Sequence, residues 1–241
     1  VPKTRVRGAL FEVFVGGITL YIGAMIKMIK RFYCAAFLAL AAAPLLAEGE
    51  AAGDFDYYVL SLSWTPSWCA ETGDDRYAPD CAEGAGFGFS VHGLWPQYEA
   101  GWPSYCRTSL RDPSRGQTSE MADIMGSGGA AWYQWKKHGR CAGLSAERYF
   151  ETVRAAYSNV VRPGVFRRLP EGGVELPASV VEAAFLEDNP DMVADGVTVT
   201  CKDGRIQEVR ICFDKSLNPR ACSTETRRDC TISDAEMPAI R

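Results

Sequence analysis

The sequence predicts an α+β fold: an antiparallel β-sheet with helices packed on one side, stapled by disulfides. Three observations predict it. Aromatic and aliphatic residues alternate near both ends of the region that begins at residue 48, as strands require. Apolar residues recur at helical spacing between those ends. The same region holds eight cysteines, an even set that can pair throughout.

Asp56–Trp64 is rich in aromatic and aliphatic residues and reads as the first strand. Thr65-Pro66-Ser67-Trp68-Cys69 ends it, and the polar stretch to Gly86 reads as a loop. Gly88–His92 reads as a second strand, with His92 near its end and Gly93-Leu94-Trp95-Pro96 turning away. Residues 101–116, broken by Pro103 and Pro113, are irregular. A short helix over Ser119–Met125 would be capped by Ser119. Gly126–Gly129 then breaks the chain ahead of a helix over Ala131–His138, with Gly139 as its C-terminal stop. Ser145 opens a longer helix to Val160, whose core stripe is Tyr149, Phe150, Val153, Ala156, Tyr157 and Val160. A further helix over Pro177–Glu187 carries proline in its first turn and Val180, Val181, Ala184 and Phe185 as apolar positions. Gly196–Cys201 alternates valine with threonine, Gly204 turns the chain, and Ile206–Phe213 is the antiparallel partner. The tail from Asp214 is polar and held by cysteines.

Residues 1–47 stand apart. Lys30-Arg31 precede an apolar run from Phe32 to Leu46, which ends at Ala47 before acidic Glu48-Gly49-Glu50. This reads as a signal peptide over 25–47, cleaved after Ala47, with 1–24 an over-extended start. A membrane span over Leu10–Ile26 is a poorer reading, because that stretch contains Glu12 and three glycines and is short for a span. A signal peptide places the remaining single domain, 48–241, in the periplasm or outside the cell, with no membrane anchor. It also removes Cys34, leaving Cys69, Cys81, Cys106, Cys141, Cys201, Cys212, Cys222 and Cys230 in an oxidising compartment. Eight cysteines allow 105 pairings, and the residues alone do not choose among them.

The whole chain carries a net charge of −4, and residues 48–241, with 20 basic and 29 acidic residues, carry −9. Such a protein cannot hold nucleic acid through a broad basic surface. A local cluster, Lys136, Lys137 and Arg140, would have to attract it, and weak binding suits a degradative enzyme better than a carrier. The sequence contains no P-loop, dinucleotide fingerprint or paired Cys-x-x-Cys. No cofactor and no metal is implied.

The chemistry concentrates around the chain's only two histidines. Trp132 to Cys141 reads Trp-Tyr-Gln-Trp-Lys-Lys-His-Gly-Arg-Cys. On a helix, at about 100° per residue, Gln134, Lys137 and His138 fall on one side, while Trp132 and Trp135 point away toward a core. The other histidine lies in Phe89-Ser90-Val91-His92-Gly93-Leu94-Trp95-Pro96-Gln97. Two imidazoles and an ammonium group suit general acid–base chemistry beside a developing negative charge.

His-Gly-Leu-Trp-Pro followed by Trp-x-Lys-His-Gly-x-Cys resembles the two active-site segments of the ribonuclease T2 family, secreted, vacuolar or periplasmic endoribonucleases. The resemblance covers 56–230. It implies a monomer that needs no metal and cleaves single-stranded RNA, using the 2′-hydroxyl as nucleophile, to 2′,3′-cyclic phosphate ends. It implies His138 as base, His92 as acid and Lys137 as electrostatic stabiliser, although from the residues alone the two histidines could be exchanged. Trp95 and Gln97 stand where the family recognises a base; Trp95 reads equally well as a core tryptophan beside a turn. The implied disulfides are Cys69–Cys81, Cys106–Cys141, Cys201–Cys230 and Cys212–Cys222.

Two positions depart from the pattern. The family's second segment commonly reads His-Glu-Trp, where this chain has Tyr133-Gln134-Trp135. Tyr133 can still donate a hydrogen bond to phosphate. Gln134 can bond phosphate or position Lys137, but it cannot hold a proton, so reduced or acid-shifted activity is expected. Gln97 replaces a frequent acidic residue and leaves base preference open. The competing reading is a ribonuclease-fold protein that has lost catalysis and binds RNA or a protein partner. A purely structural disulfide-rich domain would leave the motif match as chance.

Overall fold

The computed structural model describes residues 50–241, so the signal peptide over 25–47 and the start over 1–24 lie outside the described residues. Six strands form one sheet: β1 (Tyr57–Trp64), β2 (Phe89–Gln97), β3 (Val174–Leu176), β4 (Val197–Lys202), β5 (Arg205–Phe213) and β6 (Ala235–Met237). β1 lies between β2 and β5, and β4 pairs with β5; these pairings are antiparallel, as is β3 with β6. One contact is parallel, Arg205 of β5 with Glu236 of β6. β3 and β6 hold three residues each, too few for alternation to register in the sequence.

The described helices are α1 (Thr65–Trp68), α2 (Arg115–Glu120), α3 (Ala122–Met125), α4 (Gly128–Lys137), α5 (Ala146–Ser158) and α6 (Ala178–Asp188). β1 shows how the layers are sorted. Its Tyr58, Leu60, Leu62 and Trp64 join Val209, Ile211 and Phe213 of β5 in the main core. Helices supply the other half of that core through Trp135, Tyr149, Phe150, Val153, Val181 and Phe185. The opposite face carries Tyr57 and Val59 against Cys212 of β5 and Cys222 of the tail. Helices therefore cover one face, and the second is left to the tail and to the site.

Four disulfides are present among the described residues: Cys69–Cys81, Cys106–Cys141, Cys201–Cys230 and Cys212–Cys222. The last two tie the tail to β4 and β5. Among the described residues no helix is long and apolar enough to cross a membrane.

Several boundaries differ from the sequence reading, each for a local reason. β2 does not end at His92 but continues to Gln97. Ser61 pairs with Gly93 and Leu62 with Val91, so His92 is the extra residue of a β-bulge. Pro96 is tolerated because β2 is an edge strand. The loop after β1 begins as the helical turn α1, with proline in its first turn. Ser114, not Ser119, caps α2, through a capping box with Gln117. α4 starts three residues earlier than expected, at Gly128, because Ser127 caps it. Gly139 does not stop the chain, which tightens into a 3-10 turn over Gly139–Ala142 and leaves at Gly143, where φ is +71°. Trp132, expected in the core, is 36% exposed, whereas Trp135 is fully buried. Val180 of α6 is likewise exposed.

Candidate active site

Packing brings the end of α4 to the edge of the sheet. Trp135 is the anchor: its ring is buried and its indole N–H donates to Asp112 Oδ1 at 2.8 Å. The turn after His138 closes directly on that core. A Cβ at Gly139 would lie 2.7 Å from Trp135 and 2.8 Å from Tyr149, so only glycine fits. The backbone N–H of Tyr105 donates to the Lys137 carbonyl at 2.8 Å, and Cys106–Cys141 locks the same two segments covalently.

His92, Trp95 and Gln97 of β2 then face Lys137 and His138 across one cavity of about 240 Å³. Trp95 stands between the imidazoles, its ring centre 5.2 Å from each. His92 is solvent-exposed, as a bulge residue pushed out of the ladder can be. His138 is 5% exposed, and its Nδ1 is buried without a hydrogen-bond partner. Burial pushes the His138 pKa down to about 3, with the positive charges of Lys137 and His92 acting in the same direction. His138 is therefore neutral over most of the pH range.

Two residues of this site escaped the sequence reading. Glu208 of β5 is buried, and its Oε1 lies 2.5 Å from His92 Nδ1. Its Oε2 accepts from Arg210 Nε at 2.9 Å and Nη2 at 2.7 Å. Burial pushes the Glu208 carboxyl up, but His92 and Arg210 outweigh it and hold the pKa at about 2. Arg210 also lines the cavity, its guanidinium carbon 5.4 Å from the Trp95 ring centre. Glu208 belongs to β5 and His92 to β2, with β1 between them. The contact spans β1 where that strand carries Ser61 and Ser63, small enough to leave room. A signal was present: Glu208 is the one acid within the largely apolar run Ile206–Phe213, and a carboxylate buried there needs cationic partners.

The other candidate positions divide. Gln134 is 3% exposed and does not line the cavity; its Oε1 accepts the Trp95 indole N–H at 2.8 Å. It holds Trp95 from behind rather than reaching toward the space between the histidines. Tyr133 is exposed and lines a separate depression with Ser63, Arg76 and Asp80, on whose wall His92 also stands. Gln97 lines the main cavity but donates its side-chain N–H to the Pro96 carbonyl at 3.0 Å. Arg140 is not free to attract a nucleic acid, because both Asp112 oxygens accept from it at 2.7 Å. A grouping of Cys69, Asp74 and Cys81 has metal-like spacing, but its two sulfurs are joined in a disulfide.

Comparison with known proteins adds a lineage to this geometry. The profile described as "Ribonuclease T2 family" matches residues 55–222. A ribonuclease of Aeromonas hydrophila is 43% identical over 105 residues, covering 44% of this chain and 46% of that protein. The chain thus spans about half the length of the curated relatives it matches first. Among solved structures, an RNase-related protein from Calystegia sepium superposes with a TM-score of 0.61 at 22% identity, over 76% of this chain and 97% of that one. RNase NT in complex with 5′-AMP gives 0.56 at 23% identity, over 77% and 98%. At these identities the superpositions establish the fold.

Proposed function

The chain belongs to the ribonuclease T2 family, and from that premise we propose that it is a metal-independent endoribonuclease acting on single-stranded RNA. The observation that carries this reading is the cavity shared by His92, His138 and Lys137, with Trp95 between the two rings. RNA brings its own nucleophile. His138 takes the proton of the 2′-hydroxyl, and the O2′–P bond forms. The P–O5′ bond breaks, and His92 gives its proton to O5′. The products are a 2′,3′-cyclic phosphate and a 5′-hydroxyl.

The division of labour follows from electrostatics. A neutral imidazole is required for the base, and burial keeps His138 neutral. The acid must carry a positive charge, and His92 has an ionised carboxylate against its Nδ1. Lys137 faces the same space and offers fixed positive charge to the phosphoryl oxygens. Trp95, half-buried on the cavity wall, offers a ring face on which a base can stack, a contact worth about 1–3 kcal/mol. Export to the periplasm or the medium as a monomer fits the basic-apolar leader read in the sequence and the four disulfides.

The test is RNA cleavage by the disulfide-bonded protein in EDTA, beside His92→Ala and His138→Ala, with product ends identified. Cyclic-phosphate ends from the unmutated protein alone support the reading. An unmutated protein that leaves RNA intact between pH 4 and 9 rejects it.

A further inference from the structure

We propose that Glu208 is a positioning residue that fixes the ring of His92, and that Arg210, held by the other oxygen of the same carboxylate, is a second cation for the phosphoryl oxygens. The proposal rests on the ribonuclease reading and deepens it.

The geometry carries the first half. A buried carboxylate needs partners, and Arg210 alone meets that need through two hydrogen bonds to Oε2. The remaining oxygen is spent on His92 Nδ1 at 2.5 Å. An ionised carboxylate only accepts, so Nδ1 must carry the proton and Nε2 is left for the reaction. His92 needs this restraint more than His138 does. It sits on a bulge at the edge of the sheet and is exposed, while His138 is wedged in the core at a helix end. When His92 carries its second proton, Glu208 lies against the added charge. When that proton leaves for O5′, the Nδ1–H bond remains and the ring keeps its aim.

The second half follows from counting donors. Arg210 has five N–H groups and spends two on Glu208. Its Nη1 has no hydrogen-bond partner among the described residues, and the side chain lines the cavity beside Lys137 and His138. A purely structural ion pair would not place its unused donors there. Glu208 aims both groups at once, so His92 and Arg210 approach the phosphate as a pre-set pair.

Glu208→Gln separates this from a structural role. A neutral amide has one acceptor and one donor group. If its oxygen keeps Arg210, its NH2 faces His92 Nδ1 and opposes the protonated ring. The expected result is a folded protein whose kcat falls at least about tenfold while KM stays within about threefold. The nitrogen-15 spectrum of His92 should change from the Nδ1–H to the Nε2–H tautomer, with the His138 signals unmoved. Arg210→Gln should also lower kcat at least about tenfold, and Arg210→Lys should restore most of it. A Glu208→Gln enzyme within about threefold of the unmutated rate, or a His92 spectrum that is Nε2–H in the unmutated protein, overturns the positioning role. An Arg210→Gln enzyme with unchanged kcat overturns the second cation. If Glu208→Gln does not fold, the unmutated spectrum still decides whether Glu208 sets the tautomer. A protein that cleaves no RNA rejects the ribonuclease reading itself, whereas the tautomer answer is independent of turnover.

Discussion

The indole N–H of Trp95 donates to the side-chain oxygen of Gln134 at 2.8 Å. This contact links the two motifs: one residue comes from β2, the other from α4 four residues before His138. It also gives Gln134 a role that the sequence reading did not. A carboxylate at that position would accept the same hydrogen bond and add a negative charge one helical turn from His138. Gln134→Glu should therefore raise the His138 pKa from about 3 and raise kcat/KM. Gln134→Leu removes the acceptor and leaves a half-buried indole N–H without a partner. That costs about 1–3 kcal/mol and lowers kcat/KM, since Trp95 is no longer held. NMR titration of His138 and steady-state kinetics check both; a Gln134→Glu enzyme slower than the unmutated one would show that the added charge does not help the base.

Two glycines in the motifs are required for different reasons, and alanine at each should separate activity from stability. A Cβ at Gly93 would lie 2.3 Å from Trp95 Nε1 and 2.4 Å from Gln134 Oε1. Gly93→Ala should displace Trp95 and lower kcat/KM at least about tenfold with a small loss of stability. At Gly139 the crowding is with the core rings of Trp135 and Tyr149. Gly139→Ala should cost about 1–3 kcal/mol in denaturant unfolding. Equal losses of stability in the two variants would contradict this division.

How far the site could be read from the sequence depends on how each residue is placed. His92, Trp95, Lys137 and His138 lie inside two short motifs, Gln97 directly follows the first, and the structure brings all five to one cavity. Glu208 and Arg210 belong to no motif. Their importance arises from strand order, which sets β5 two strands from β2, and from the serines of β1 that leave room between them. Pairing across a third strand leaves no periodic trace in any one segment. The same holds for the fold. β1, β4, β5 and the helices α5 and α6 were legible from alternation and helical spacing. The continuation of β2 was not, because the bulge at His92 shifts the alternation by one residue. The starts of α2 and α4 were misread because serine caps outside the apolar pattern, Ser114 and Ser127, set them, whereas the Ser145 cap of α5 was read correctly.

Acid should lower both chemistry and stability, but over different pH ranges. The base must be neutral, and burial holds His138 at about 3, so the acid limb of kcat/KM in the free enzyme should fall near pH 3 rather than near the ordinary histidine value. An acid limb between pH 6 and 7 would refute this. Stability begins to fall at a higher pH. The unfolded chain protonates His138 at the ordinary histidine value of 6.5, while the folded protein does so only near 3. The stabilisation is complete above the unfolded value and is lost as pH falls through that window. Glu208, held at about 2 against an ordinary glutamate value of 4.5, likewise loses its contribution as pH falls through that range. Urea unfolding at pH 7 and pH 4.5 should show His138→Phe losing less stability than the unmutated protein, by at most about 3 kcal/mol.

Lys136, Lys137 and Arg140 lie close together in sequence, but the structure separates their tasks. Arg140 is clamped to Asp112, the same carboxylate that accepts the buried Trp135 indole N–H. Burial pushes the Asp112 pKa up, and Arg140 and Trp135 more than reverse it, so the group is an ionised hub of the α4 anchor. Lys136 and Lys137 have no ion pair among the described residues, and Lys137 lines the cavity. Arg140→Gln should therefore lower the unfolding midpoint, at a cost of about 1–3 kcal/mol, and leave the salt dependence of KM unchanged. Lys136→Gln should do the reverse: an unchanged midpoint and a shallower rise of KM with salt, since one fewer phosphate contact reduces the slope by about 1 or less. Lys137→Gln should act mainly on kcat, because its charge is needed where the phosphoryl oxygens gather charge. Steady-state kinetics between 50 and about 300 mM salt, beside thermal unfolding of the three variants, sort these outcomes. A salt slope that changes with Arg140 rather than Lys136 would mean that RNA competes with Asp112 for the guanidinium, and that the anchor opens when substrate binds.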